Sequence, residues 1–129
     1  MPNGDEAQDS LHGLRILLVE DDPLICLDLE SSLSDLGATV MPASDVASAL
    51  KIMAATAPDF AVLDFELGVE TSEPIARAAR NRNVPFLYLS GYSDRDQRFA
   101  WWSDITILVK PISAATIARH IRGALRERH

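Results

Sequence analysis

The chain has 129 residues, 47% of them apolar, which is enough for one domain with a real hydrophobic core. Nineteen acidic residues against twelve Lys and Arg give a net charge of -7, so no basic stripe is expected to bind nucleic acid or an anionic membrane surface. The single cysteine, Cys26, allows no internal disulfide, and the chain is expected in a reducing cytoplasm.

Residues 1–13 are polar and acidic, without the basic start or apolar run of a secretory signal. They read as a flexible N-terminal tail ahead of one domain over 14–129. No apolar run is long enough to span a bilayer. From Leu14 onward, short apolar runs alternate with helical spacing five times. The runs are Leu14–Val19, Ala38–Met41, Phe60–Leu63, Val84–Leu89 and Ile105–Val109. Most are nearly continuous in apolar residues, as parallel strands covered on both faces require.

The intervening stretches carry apolar residues at helical spacing. They are Ile25, Leu29, Leu33 and Leu36; Val46, Leu50 and Met53; Ile75, Ala78 and Ala79; and Ile117, Ile121 and Leu125. A fourth helix in chain order, around Asp94 to Trp102, has poor periodicity. Asp22 followed by Pro23 reads as an N-cap with proline at the first helical position, and Gly37 as the stop. Ser44, Ser72, Ser93 and Ser113 stand where the other N-caps belong. Nothing follows the last helix but Glu127, Arg128 and His129, so no output domain is expected. The alternation predicts a doubly wound α/β domain with a parallel sheet.

Ligands of such sheets lie beyond the carboxyl ends of the strands, where strand order reverses. Glu20-Asp21-Asp22 follows the first strand and Asp64-Phe65-Glu66 the third, while the fourth ends at Ser90-Gly91 and the fifth at Lys110-Pro111. Carboxylates converging from two strands repel one another unless a hard cation lies between them, which suits Mg2+, or Mn2+ in its place. Lys110 offers a point charge and Ser90 a hydroxyl to phosphoryl oxygens approaching Asp64. Taken singly, each has a plainer reading: Asp22 as a cap, Ser90 as a turn residue, Lys110 as an exposed charge. Their joint occurrence at successive strand ends is what points to chemistry.

These residues resemble the receiver domains of bacterial two-component response regulators, from Leu14 to about Arg126. Ile16-Leu17-Leu18-Val19-Glu20-Asp21-Asp22 is similar to the first strand and acid pair, Leu63-Asp64 to the phosphoacceptor strand, and Ser90 and Lys110-Pro111 to the remaining motifs. The resemblance implies a flavodoxin-like fold with strand order 2-1-3-4-5. It makes Asp64 the phosphoacceptor in a phosphorelay, Asp21 a direct Mg2+ ligand, Glu20 a holder of its hydration shell and Glu66 a donor of its backbone carbonyl. It implies a sensor histidine kinase or histidine phosphotransfer protein as donor, a regulatory role rather than an enzyme's, and a monomer or weak dimer.

Departures from the family pattern shape further expectations. Gly68 stands where proline is common, which predicts a more flexible loop. Gly91 replaces a common alanine, and Ile107 replaces the switch aromatic. Tyr88-Leu89-Ser90-Gly91-Tyr92 is similar to the motif of the FATGUY group of receivers, which implies a stand-alone receiver and an HWE-type kinase. Glu66 and Tyr92 occupy the positions that tune dephosphorylation. Phe99, Trp101 and Trp102 read as packing of the fourth helix or as a partner-facing patch. His12, His120 and His129 read as surface residues. Two alternatives are an Mg2+-dependent phosphohydrolase with an aspartyl nucleophile, imitated by Asp64-Phe65-Glu66, and a pseudo-receiver that signals by binding alone.

Overall fold

Five apolar runs become the strands of one parallel sheet in the computed structural model, which describes residues 10–91 and 105–127. In chain order the elements are β1 (Arg15–Val19), α1 (Pro23–Asp35), β2 (Thr39–Ala43), α2 (Val46–Thr56), β3 (Phe60–Asp64), β4 (Glu66–Leu67), β5 (Glu70–Thr71), α3 (Glu73–Asn81), β6 (Phe86–Ser90), β7 (Ile107–Val109) and α4 (Ala114–Glu127). The sheet order is β2-β1-β3-β6-β7, the doubly wound order expected for the five principal strands. β4 and β5 form a separate antiparallel hairpin. The expected fourth helix, with Ser93, Phe99, Trp101 and Trp102, lies outside the described residues, as does Tyr92.

Because side chains alternate along a strand, one sheet feeds two cores. Leu17, Val19, Ala61, Leu63 and Tyr88 pack against Ala49 and Met53 of α2 and Ile75, Ala76 and Ala79 of α3. Ile16, Leu18, Phe60, Val62, Leu87 and Leu89 pack against Leu29 and Leu33 of α1 and Ile117, Ala118 and Ile121 of α4. Continuous apolar runs in β1 and β3 thus follow from burial on both faces.

The helix boundaries follow from identifiable groups. The Asp22 carboxylate accepts the Leu24 and Ile25 N–H groups at 2.9 and 3.3 Å, as a cap ahead of Pro23 should. Gly37 ends the α1 segment with φ +106°, and the Ala38 N–H reaches back to the Leu33 carbonyl. Ser113 accepts the Thr116 N–H at 3.2 Å. At α2 the cap is Asp45 rather than Ser44, its carboxylate taking the Ser48 N–H at 2.8 Å. Ser72 holds the cap position of α3, but its buried hydroxyl makes no capping bond.

One further expectation is corrected. The sequence reading extends the flexible tail through Gly13, yet Leu11 is fully buried in the α1/α4 core. Its N–H donates to the Leu36 carbonyl at 2.7 Å, and the His12 backbone lies so close to Gly37 that a Cβ there would come within 2.8 Å of it. A buried leucine contributes roughly 1.5–3 kcal/mol, enough to hold a short lead-in. Gly68, in the loop expected to be flexible, takes φ +66° at the turn of the β4–β5 hairpin, a conformation glycine adopts without steric cost.

Candidate functional site

The sheet delivers four candidate side chains to one edge because each residue ends or directly follows a strand. Glu20 follows β1, and its N–H continues the ladder to the Ala43 carbonyl at 3.0 Å. Asp64 is the last residue of β3, paired with Leu89. Ser90 ends β6 opposite Val109 of β7, and the Lys110 N–H donates to the Ser90 carbonyl at 2.9 Å. The strand pairing therefore fixes the backbone positions of Asp64, Ser90 and Lys110 relative to one another. The Lys110–Pro111 peptide is cis.

The side chains then close a pocket. Lys110 Nζ lies 3.0 Å from Asp64 Oδ2 and 3.2 Å from Glu20 Oε1, a forked ion pair with one cation between two carboxylates. Glu20, Asp64 and Ser90 are buried, Asp21 is exposed at the rim, and Glu66 is half-buried in the hairpin. One carboxylate oxygen from each of Glu20, Asp21 and Asp64 falls within 4.8 Å of the others. The hairpin turn borders the same pocket, since Asp21 Oδ2 is the nearest neighbour, at 3.9 Å, of a Cβ built on Gly68.

One lysine does not balance this much negative charge. Burial pushes the Glu20 carboxyl up to about 8, assisted by hydrogen bonding to Asp64 and by its charge, while Lys110 pulls the other way. For Lys110, burial acts downward, but the hydrogen bond and charge of Asp64, then those of Glu20, leave it above its ordinary value. Glu20 Oε2 is buried and has no hydrogen-bond partner among the described residues. An orphaned carboxylate oxygen beside two further carboxylates fits a hard divalent cation, which takes oxygen ligands and neutralises like charge. The donor set is all oxygen, as Mg2+ prefers.

The sequence reading found Glu20, Asp21, Asp64, Ser90 and Lys110 and brought them to one edge. It missed the hairpin and with it Glu70, whose Oε2 accepts the Val46 N–H at 3.3 Å. A glycine between two short extended pairs was the available signal. His120 is exposed, as expected of a surface residue. Among the described residues, no helix is long and apolar enough to cross a membrane.

Comparison with known proteins gives this geometry a family. Residues 16–122 match the model of the response regulator receiver domain. The chain is 34% identical over 118 residues to the transcriptional regulatory protein PrrA of Mycobacterium leprae (strain TN), covering 88% of this chain and 51% of that protein. It is 30% identical over 123 residues to the transcriptional regulatory protein AfsQ1 of Streptomyces coelicolor, covering 86% and 51%. The chain thus spans about half the length of these curated relatives. A crystal structure of a response regulator receiver protein from Sinorhizobium medicae WSM419 superposes with TM-score 0.78 at 31% identity, covering 93% of this chain and all of that one. Receiver domains of this kind are regulatory phosphoacceptors with an acidic pocket for Mg2+, phosphorylated by histidine kinases or phosphotransfer proteins. The chain belongs to the receiver domains of two-component response regulators.

Proposed function

We propose that Asp64 is the phosphoacceptor of this receiver and that Glu20, Asp21 and Asp64 hold Mg2+, with the Glu66 backbone carbonyl as a further ligand. The observation that carries this reading is the forked contact of Lys110 with Asp64 and Glu20, beside a buried carboxylate oxygen that lacks a partner among the described residues. In the transfer, an Asp64 carboxylate oxygen attacks phosphorus. The bond from phosphorus to the donor breaks, and the leaving group carries off the electron pair and takes up a proton. Lys110 turns from the Asp64 carboxylate to the incoming phosphoryl oxygens, and the Ser90 hydroxyl donates to another of them. Mg2+ held by these carboxylates would neutralise phosphoryl charge, and the remaining work is alignment in a buried site. Asp21, exposed at the rim, would be the cation's ligand on the solvent side.

The donor is a histidine kinase or phosphotransfer protein, and its docking surface is the groove beside Lys110. That groove is lined mainly by apolar residues, Leu24, Ile25, Leu29 and Ile112 among them, with the charged Asp28 and Lys110. Leu24 in this groove is 78% exposed, on a helix whose buried residues are Leu29 and Leu33. An apolar helix face that leads directly to the phosphoryl-contacting lysine suits a protein donor better than a small ester.

The test is intact mass after incubation with acetyl phosphate. One phosphoryl group per chain is expected with Mg2+, none after chelation, and none in Asp64→Asn. Undiminished labelling of Asp64→Asn refutes the assignment. Steady release of phosphate from many unrelated phosphoesters would instead favour a phosphohydrolase.

A further inference from the structure

The β4–β5 hairpin begins two residues after Asp64 and ends at the start of α3, so whatever fixes it also shapes the wall of the acidic pocket. Its base is well anchored. Phe65 and Leu67 are buried in the α2/α3 core, Phe65 meets Tyr88 edge to face at 5.2 Å, and the Ser72 N–H closes the base on the Phe65 carbonyl at 3.0 Å. Its tip is different. Gly68, Val69 and Glu70 are all exposed, Val69 fully so. Yet the tip lies against Asp21, the exposed carboxylate of the pocket.

The tie on the returning strand is Glu70. Its carboxylate accepts the N–H of Val46, the first residue of α2, while Asp45 caps the same helix through Ser48. The first N–H groups of a helix have no partner within it, and the helix dipole favours a carboxylate there. Leu67 pairs with Glu70 across the hairpin and Glu66 with Thr71. A restraint on Glu70 therefore passes through the ladder to Glu66 and through the turn to Gly68.

We propose that Glu70 is a positioning residue for the cation site, clasping the hairpin to the N-terminus of α2 so that Glu66 and the turn beside Asp21 are held ready for Mg2+. This inference rests on the functional reading above and extends it to a side chain that touches neither metal nor phosphoryl group. A preorganised wall loses less freedom when the cation binds, so the clasp raises affinity without adding a ligand. Coupling is reciprocal: if Glu70 aids Mg2+, then Mg2+ strengthens the Glu70–Val46 bond.

The experiment is an NMR titration of the full chain with Mg2+ alone, comparing wild type, Glu70→Ala and Glu70→Gln, with amide hydrogen exchange of Val46 followed in each. Glu70→Ala is expected to weaken Mg2+ binding by roughly two- to ten-fold, the range that one net hydrogen bond supplies. Glu70→Gln retains an acceptor oxygen and is expected to recover most of the loss. In wild type, Mg2+ slows exchange at Val46, and in Glu70→Ala it does not. Equal weakening by Ala and Gln would mean that charge alone acts, and it overturns the clasp. So does unchanged affinity in Glu70→Ala, or a Val46 response to Mg2+ that survives it. If wild type binds no Mg2+ at the pocket, the functional reading falls and this inference with it. If wild type binds and the variants match it, only the inference falls.

Discussion

Glu20 gives the most quantitative prediction, because its environment is set by burial rather than by a flexible surface. Without metal, its carboxyl is pushed up to about 8, chiefly by burial and then by Asp64. In the unfolded chain it returns to the ordinary carboxylate range. Between about pH 4.5 and 8 the folded protein therefore holds a proton that the unfolded chain releases. The stability from this group is fully present below that window and is lost as pH rises through it. One proton of difference corresponds to a slope of at most about 1.4 kcal/mol per pH unit. Relaxation around the Lys110 fork will make the observed slope shallower.

The assay is urea unfolding at several pH values across this window, with chelator, for wild type and Glu20→Gln. The glutamine is nearly the same shape as the protonated acid and cannot ionise. Wild type should lose stability relative to the variant as pH rises. Added Mg2+ competes with that proton, so its stabilising effect on wild type should grow with pH, and Glu20→Gln should show little of it. Parallel pH profiles for the two proteins in chelator would refute the reasoning, since they would mean that Glu20 is not held in a charge-disfavouring site.

Other outcomes follow from contacts already described. Lys110→Ala removes the cation that competes for Glu20 and Asp64, so Mg2+ should bind at least as tightly while phosphoryl incorporation from acetyl phosphate falls; a parallel loss of both would contradict the forked arrangement. Gly37→Ala should cost more stability in urea than Gly68→Ala. Both glycines have positive φ, worth about 1 kcal/mol each against alanine, but only at Gly37 would the new Cβ meet backbone, 2.8 Å from His12 Cα. Leu11→Ala should destabilise by about 2–4 kcal/mol in the same assay, and a neutral effect would return residues 10–13 to the status of a tail.

Much of this was legible in the sequence because doubly wound domains leave a strong physical trace. Leu17 and Leu18 belong to opposite cores, so β1 must be apolar throughout, and that continuity marked a parallel strand. The site was legible for a related reason. Glu20, Asp64, Ser90 and Lys110 stand at strand ends, and strand register rather than loop conformation brings them together. What escaped depends on tertiary packing. Leu11 is one apolar residue in a polar stretch and carries no periodicity of its own, yet the end of α1 covers it completely. The hairpin strands are two residues each, too short to show alternation. Asp45 displaces Ser44 as cap by a one-residue shift that pattern alone does not resolve. Ile25 fits the apolar stripe by spacing but is 40% exposed, on the face proposed here to meet the phosphodonor.

The account stands or falls on Asp64. Intact mass spectrometry after acetyl phosphate treatment, with and without Mg2+, tests it most directly. The expected result is one added phosphoryl group, present only with Mg2+, absent from Asp64→Asn, and mapped to the peptide containing Asp64. A phosphoryl group that persists in Asp64→Asn, or that appears equally in chelator, would contradict the assignment of this acidic pocket as the phosphoacceptor site.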